Sequence, residues 1–277
     1  MWARASDRWR LTLPLLLPSL GGLAYLSAFG ARQPLIVVNA IALATAVAWV
    51  VWGRLPDRRG ARFGFAAAAL LLLFLPPLLH HHIDGVARWL PIGRALSLHS
   101  GTLLLPLLTV IAAREVHIGP WLLALAGAAL ALQPDAGVLA GLAAASAALA
   151  ALHRSLIFAL VAGGSLTLSL ATFGAGDLGP QLYTEGVLAH VAEHSLAGAA
   201  TLGLLLFGAP FWYLVIRPAA PREEGYALAA MLVSLGAMAL IAPFPYPLIG
   251  YGAAPILGFG LALGASRHSP PVGTKSG

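Results

Sequence analysis

Residues 34–53 read PLIVVNAIALATAVAWVVWG, an apolar run without a charged side chain. An α-helix needs about 20 apolar residues to cross the ~30 Å hydrocarbon layer of a membrane, and this run has that length. Similar apolar segments recur along the whole chain. The run therefore predicts a transmembrane helix in a chain that crosses the membrane several times.

The composition of all 277 residues agrees, because 59% are hydrophobic, only 9% are charged and the mean hydropathy is +0.85. Soluble chains carry about a quarter charged residues and could not bury so much apolar surface. We therefore predict an all-α polytopic membrane protein with a single transmembrane domain over residues 1–277. The absence of cysteine excludes disulfides, thiolate metal sites and a cysteine nucleophile.

The apolar runs predict about ten transmembrane helices, some of them short because flanking residues adapt to the membrane. The first run follows basic residues as in a signal peptide, but its length and the many later runs favour a retained helix. The eighth is long enough to project beyond the hydrocarbon at one end. The predicted spans are 12–30, 34–53, 63–80, 100–113, 119–133, 136–152, 155–173, 187–216, 225–243 and 247–265.

Basic residues predict the orientation, because cytoplasmic connections carry an excess of Arg and Lys. With the N-terminus inside, the outer connections hold only three of the 16 basic residues, and both termini are cytoplasmic. This distribution explains the formal charge of +6 without a nucleic acid partner. The cytoplasmic residues are Arg4, Arg8, Arg10, Arg54, Arg58, Arg59, Arg62, Arg114, Arg154, Arg217, Arg222, Arg267 and Lys275, and the outer ones are Arg32, Arg88 and Arg94.

Several acidic residues fall at the outer face, where charge near lipid is usually kept for a cavity, an ion pair or chemistry. Glu185 precedes the eighth span, where the helix dipole favours a carboxylate. Glu193 lies about 12 Å further along that helix, at about 1.5 Å per residue. A structural pair with His190 or His194 is the alternative to a functional role for Glu193. The outer acidic residues are Asp84, Asp135, Asp177, Glu185 and Glu193.

The outer connection 80–94 reads HHHIDGVARWLPIGR. Arg presents a fork suited to phosphate and Trp anchors at the headgroup level, so Arg88 and Trp89 are candidates for binding a phosphorylated lipid. An interfacial anchor alone is the alternative. Three consecutive histidines do not converge on one ion from a helix, so we predict no metal site.

Two further motifs also have structural alternatives. Residues 133–137 read QPDAG, and a tight helical hairpin in which Asp135 caps the next helix explains this motif. Residues 247–255 read PLIGYGAAP, and close helix packing by small residues accounts for them.

In this order the motifs resemble the SEDS family, the FtsW/RodA type of membrane peptidoglycan glycosyltransferase, which also has ten spans and cytoplasmic termini. Residues 88–93 (RWLPIG) are similar to the family's Arg-Trp-Ile-x-Leu-Gly. QPDAG at 133–137 is similar to its Gln-Pro-Asp-Leu-Gly.

The resemblance continues to about residue 265. Residues 180–185 (PQLYTE), followed by Glu193, resemble the family's Pro-Glu-x-His-Thr-Asp with a Glu eight residues later. The family's Pro-Phe-Val-Ser-Tyr-Gly-Gly-Ser-Ser resembles the last motif, which keeps Pro247, Tyr251 and Gly252.

The chain also departs from the family's pattern. The family's catalytic Asp corresponds to Glu185, which moves the carboxylate by one methylene, and the His before it is Tyr183. The family's Pro-Ser-Glu and following Lys fall on 99–101 and Leu104, so both charged members are missing. The connection before Glu185 shrinks to about 174–182. We interpret the chain as a reduced or divergent relative.

The resemblance implies a multi-pass protein of the bacterial cytoplasmic membrane that acts in cell-wall synthesis, for cell shape or cell division. The substrate would be a polyprenyl-diphosphate-linked disaccharide–pentapeptide in membrane lipid, and the partner a single-pass transpeptidase. Glu185 would be the general base, and Arg88 with Arg94 would offset diphosphate charge. The cofactor stays open. The substrate-binding candidates are Arg88, Trp89, Arg94, Asp135, Glu193 and Tyr251.

Two other classes of function stay open. The lost charged positions and the short connection favour a non-catalytic membrane scaffold that binds lipid precursor or a cell-wall synthesis partner. A transporter of small solutes or lipids would need a polar path across the bilayer, whereas the polar groups here concentrate at the outer face. The scaffold predicts co-purification with a partner and no polymerisation.

Overall fold

The structure, a computed structural model, describes residues 2–56, 58–79, 86–93, 96–175 and 181–266, with side chains from Arg8 onward. It is a bundle of helices with one short β-hairpin. The elements are α1 (Trp2–Ala28), α2 (Gln33–Trp52), α3 (Arg59–Leu79), β1 (Trp89–Ile92), β2 (Leu96–His99), α4 (Ser100–Arg114), α5 (Gly119–Ala131), α6 (Ala136–His153), α7 (Leu156–Ala171), α8 (Val187–His194), α9 (Leu196–Gly203), α10 (Ala209–Phe211), α11 (Arg222–Ile241) and α12 (Ala253–Ala265).

Every predicted span coincides with a helical segment. Within the described ranges, six segments are long and apolar enough to cross a membrane. Four shorter apolar helices, α4, α5, α7 and α12, account for the remaining predicted spans. The prediction of an all-α polytopic membrane protein is confirmed. The six long segments are Arg8–Ala28, Gln33–Trp52, Arg59–Leu79, Ala136–His153, Leu196–Ile216 and Arg222–Ile241.

The eighth predicted span is not one continuous helix, which corrects the sequence prediction. The chain is extended at Ser195 (φ −160°), whose hydroxyl caps α9 by accepting a hydrogen bond from the Gly198 N–H at 3.0 Å. Beyond α9, two π-helical segments, Leu204–Gly208 and Trp212–Ile216, flank α10. Pro210 in α10 lacks an N–H, which favours such irregular hydrogen bonding.

The last helix begins at Ala253 rather than at the predicted position 247. Leu248 is in the left-handed region (φ 66°), so the segment before α12 is a loop. This difference matters for function because the loop lies against the turn that carries Glu185.

Small residues let the buried helices approach closely, as expected in a membrane bundle. A Cβ at Gly258 of α12 would overlap the carbonyl of Thr102 on α4. A Cβ at Gly141 of α6 would lie 3.3 Å from Leu235 on α11. These contacts place α4, α6, α11 and α12 at the centre of the bundle.

Buried arginines tie the helices together at the end predicted to be cytoplasmic. Arg8 donates to the carbonyls of Gly53 at 2.6 Å and Gly264 at 2.7 Å, so α1 begins beside the ends of α2 and α12. Arg114 pairs with Glu224 at 2.6 Å between α4 and α11. Both described ends of the chain therefore lie at the same end of the bundle.

The hairpin β1–β2 was not predicted from the sequence. Its strands pair antiparallel, with Trp89 opposite His99. His99 is the last residue of β2 and the N-cap of α4. The hairpin therefore places the Arg88–Trp89 pair directly beside the start of a central helix.

Candidate functional site

A cavity of about 320 Å³ opens among the connections at the end of the bundle predicted to face outward. The structure brings together five residues that the sequence singled out from four separate motifs. Within the described part of the chain, the lining includes Arg88, Trp89, Asp135, Glu185 and Tyr251.

Glu185 lies in a turn directly before the N-terminal end of α8. Its amide donates to the carbonyl of Gln181 at 3.1 Å, and its Oε2 accepts from the Gln181 N–H at 3.4 Å. Gly186 follows in the left-handed region (φ 61°) and is the N-cap of α8. The side chain is half-buried and lines the cavity, so the carboxylate is accessible to a ligand there.

The loop before α12 holds this turn in place through the backbone. The Tyr246 N–H donates to the Thr184 carbonyl at 3.1 Å, and the Tyr251 N–H donates to the Tyr183 carbonyl at 2.7 Å. A Cβ at Gly250 would lie 2.9 Å from the Thr184 carbonyl, so only glycine permits this approach. The half-buried Tyr251 also lines the cavity.

Asn39 in α2 fixes that loop, and sequence reasoning missed it. Its Nδ2 donates to the Gly250 carbonyl at 3.0 Å, and its Oδ1 accepts from the Gly252 N–H at 3.2 Å. The side chain is 1% exposed. Its one signal in the sequence is an amide inside the apolar run 34–53.

Asp135 begins α6 as predicted. Its Oδ1 accepts from the Val138 N–H at 3.2 Å, which makes it the N-cap. The residue is 3% exposed, and its Oδ2 lies 3.4 Å from His99 Nε2. Asp135 thus has a structural role and lines the cavity as well.

His99 is a cavity residue to which the sequence assigned no role. Its Nδ1 accepts from the Thr102 N–H at 3.4 Å, so a neutral ring carries its proton on Nε2, towards Asp135. The ring meets Trp89 edge-on at 5.8 Å. Burial lowers the pKa of His99, the charge of Asp135 opposes this shift and that of Arg88 adds to it. The imidazole is therefore neutral at neutral pH.

Arg88 connects three segments of the chain through hydrogen bonds to backbone carbonyls. Its Nε donates to the Gln133 carbonyl at 3.0 Å, and its Nη2 donates to the carbonyls of Pro134 and, at 3.0 Å, Ala175. These bonds tie the hairpin to the QPDAG motif and to the residues that follow α7. Arg88 Nη1 has no hydrogen-bond partner among the described residues, and Arg88 lines the cavity. Its charge is therefore available to a ligand there.

Gln133 of the QPDAG motif is fully buried and structural. Its Oε1 accepts from the Ser100 hydroxyl at 2.8 Å, and its Nε2 donates to the Leu73 carbonyl. These bonds join α3, α4 and the hairpin between α5 and α6. The motif thus builds the wall of the cavity behind Asp135.

One further candidate, Glu193, lies outside the cavity. Glu193 is exposed on α8 and is not among the lining residues. Its neighbour His190 contacts the Tyr25 hydroxyl through Nδ1 at 3.0 Å, so that histidine pairs with α1. Arg94 lies outside the described residues. Across the described residues there is also no cluster of three or more His, Cys, Asp or Glu that could hold a metal ion.

The fold and the cavity together define a polytopic helical membrane protein with a mainly apolar cavity at one end, into whose lining a few ionisable residues converge. The Thermus thermophilus rod shape determining protein RodA has this fold, with a TM-score of 0.65 at 22% identity over 92% of this chain and 95% of that chain. A mutant of RodA gives a TM-score of 0.66 at 23% identity, covering 92% and 96%. No family model and no curated protein matches the sequence. The RodA-like fold implied by the resemblance is thus confirmed.

Proposed function

We propose that this chain is a divergent SEDS protein of the bacterial cytoplasmic membrane that polymerises a lipid-linked peptidoglycan precursor at the cavity. One observation carries the proposal. Residues of four separate motifs, among them Arg88, Asp135, Glu185 and Tyr251, line one cavity in a chain with the RodA fold. Cavities with a few convergent polar groups are where chemistry is expected.

Glu185 is the proposed general base. An ionised carboxylate removes the proton from an acceptor sugar hydroxyl as that oxygen attacks the anomeric carbon of the donor. The bond between that carbon and the diphosphate breaks, and the polyprenyl diphosphate leaves with the electron pair. The backbone of the turn that carries Glu185 accepts hydrogen bonds from the N–H groups of Tyr246 and Tyr251, and these bonds hold the base in place. A fixed position favours catalysis, because the base must be aligned with the reacting hydroxyl.

Arg88 is the proposed electrostatic partner of the diphosphate. Its three bonds to backbone carbonyls hold the guanidinium rigidly at the cavity wall. A positive charge fixed in advance stabilises negative charge that develops on a leaving group. Trp89, half-buried beside it, offers an apolar surface for the lipid.

A non-catalytic scaffold is the second candidate, favoured by a specific observation. Arg88 makes three hydrogen bonds to backbone carbonyls, which leaves it few donors for a ligand. The Glu and the Lys of the family's fourth span are also replaced, by Gly101 and Leu104. In this case the cavity binds lipid precursor without turnover, and the chain associates with a single-pass transpeptidase.

A combined binding and turnover experiment separates the two. Purified protein in lipid nanodiscs is given the lipid-linked disaccharide–pentapeptide, precursor binding is titrated, and glycan polymer is resolved on gels. The proposed enzyme binds the precursor and makes polymer. Binding without polymer, both alone and with the transpeptidase added, contradicts the catalytic proposal and supports the scaffold. Protein that binds no precursor at any concentration contradicts both.

A further inference from the structure

The turn that carries Glu185 also contacts the end of α1. Tyr183, two residues before Glu185, donates its hydroxyl to the Phe29 carbonyl at 2.9 Å. The helix α1 ends at Ala28, and Gly30 follows in the left-handed region (φ 73°). No further helical N–H is therefore in place to bond the Phe29 carbonyl. The Tyr183 hydroxyl supplies the missing donor.

The helix α8, which follows Glu185, contacts the same end of α1. The Tyr25 hydroxyl and His190 Nδ1 share a hydrogen bond at 3.0 Å. The His190 ring also packs on Phe29, with 4.8 Å between the ring centroids. Tyr25 is 4% exposed, and a buried tyrosine hydroxyl needs a hydrogen-bond partner. Hydrogen bonds to α1 thus stand on both sides of Glu185 in the sequence.

Tyr183 has an unusual backbone conformation. Its φ of 70° lies in the left-handed region, which a bulky side chain rarely adopts and which persists only where the surroundings hold it. Here the hydroxyl is bonded to α1, and the carbonyl accepts the Tyr251 N–H at 2.7 Å. Strained residues of this kind cluster at active sites, and this one lies two positions from the proposed base.

The two residues do not themselves reach the cavity. Within the described part of the chain, neither Tyr183 nor His190 is among the lining residues, whereas Glu185 is. Tyr183 stands where the family has His, but its hydroxyl bonds to α1. Any effect of these two side chains on a bound ligand therefore passes through the turn between them.

We propose that Tyr183 and His190 are positioning residues for Glu185, and that they fix its turn to the end of α1. Tyr183 holds the backbone before the base, and His190 holds the helix that follows it. The loop before α12 holds the same turn through backbone hydrogen bonds, so two separate parts of the chain support the base. This inference rests on the proposed function for the role of Glu185, and on the geometry alone for the attachment to α1.

The first test compares turnover with binding. Tyr183→Phe and Tyr25→Phe each remove one hydroxyl and keep the ring. We expect each to lower kcat for polymerisation about tenfold, because one hydrogen bond that aligns the base is lost, and to change precursor affinity less than about twofold. Rates are expressed per precursor-binding site, so unfolded protein does not count. Tyr226→Phe, at a half-buried tyrosine near the end predicted to be cytoplasmic, should change neither quantity.

A further variant introduces the residue that the family has at this position. The imidazole in Tyr183→His is shorter than a phenol and cannot reach the Phe29 carbonyl, so kcat should fall as it does in Tyr183→Phe. Wild-type kcat in Tyr183→His or in both Phe variants would overturn the positioning role. Weaker precursor binding at unchanged kcat would overturn it as well, because the two residues would then contribute to binding.

The second test needs no substrate. Amide hydrogen exchange over residues 185–191 should be about tenfold faster in Tyr183→Phe and Tyr25→Phe than in wild type, because a lost hydrogen bond makes local opening easier. Tyr226→Phe should exchange like wild type. Unchanged exchange in both variants would overturn the attachment to α1. Wild-type protein that makes no polymer would refute the proposed function, and the exchange rates would still decide whether α1 fixes the turn.

Discussion

The amide side chain of Asn39 in α2 holds the backbone of Gly250 in the loop before α12, at 3.0 Å from Nδ2 to the carbonyl oxygen. Its Oδ1 takes the Gly252 N–H. The same loop donates to the carbonyls of Tyr183 and Thr184. A single buried amide near the start of the chain therefore positions the turn of the proposed base.

Replacement of Asn39 by leucine should loosen this arrangement. Asn39→Leu leaves a carbonyl and an N–H of the loop unpaired in a buried environment, at about 1–3 kcal/mol for each group. We expect a lower melting temperature and a loss of polymerisation. Thr45→Val, which changes an exposed polar residue on the same helix, is the control. Equal stability of the two variants would contradict the role assigned to Asn39.

The ion pairs of Glu115 should make stability depend on pH. Burial raises the pKa of Glu115, but the hydrogen bond and charge of Arg62 and the charge of Arg59 outweigh burial and lower it. A carboxyl with a lowered folded pKa contributes stability above its unfolded pKa, and the contribution disappears as pH falls through the folded value.

Glu115→Gln should therefore destabilise the protein near neutral pH, by about 3 kcal/mol, because the buried Arg62 loses this carboxylate. The difference from wild type should shrink below about pH 4. Thermal unfolding across pH measures this, with the exposed Glu193→Gln as control. A difference that is constant with pH would exclude an electrostatic contribution from Glu115.

A lysine at position 88 should not be able to take over the role of Arg88. The guanidinium donates to three carbonyls from two nitrogens, and an ammonium lacks this planar fork. Arg88→Lys should lower both the melting temperature and precursor binding although it keeps the charge. Arg32→Lys, at an exposed outer position, should change neither. Normal binding by Arg88→Lys would show that charge alone suffices.

Two glycines offer a matched test of the central packing. A Cβ at Gly258 meets the Thr102 backbone, whereas a Cβ at Gly163 of α7 meets nothing within 4 Å. Gly258→Ala should destabilise by about 1–3 kcal/mol. Gly163→Ala should be neutral or stabilise by up to about 1 kcal/mol, because alanine favours the helix. Similar melting temperatures would mean that α4 and α12 pack less closely than described.

The helices were predictable because each coincides with an apolar run, and six of the helical segments are long enough to cross a membrane. Asp135 and Glu185 were predictable as outer acidic residues because charge stands out against lipid-like sequence. Their convergence on one cavity could not be read from the residues alone, since it depends on how α4, α6, α11 and α12 pack. The candidate Glu193 came from its spacing eight residues after Glu185, which does not reveal the direction of the side chain, and α8 exposes that residue.

The missed features have weak local signals. The break at Ser195 depends on one hydroxyl that caps α9, and a serine in an apolar run does not ordinarily end a helix. The loop before α12 depends on a left-handed Leu248, which tertiary contacts impose. The roles of His99 and Asn39 could not be predicted, because both residues contact partners that are far away in the sequence.

The most direct test of the central claim is the polymerisation rate of Glu185→Gln, measured beside Glu193→Gln with the same purified precursor. Loss of a general base should lower the rate at least about 100-fold, with precursor affinity nearly unchanged, while Glu193→Gln should match wild type. A Glu185→Gln variant that polymerises at the wild-type rate would contradict the assignment of Glu185 as the base.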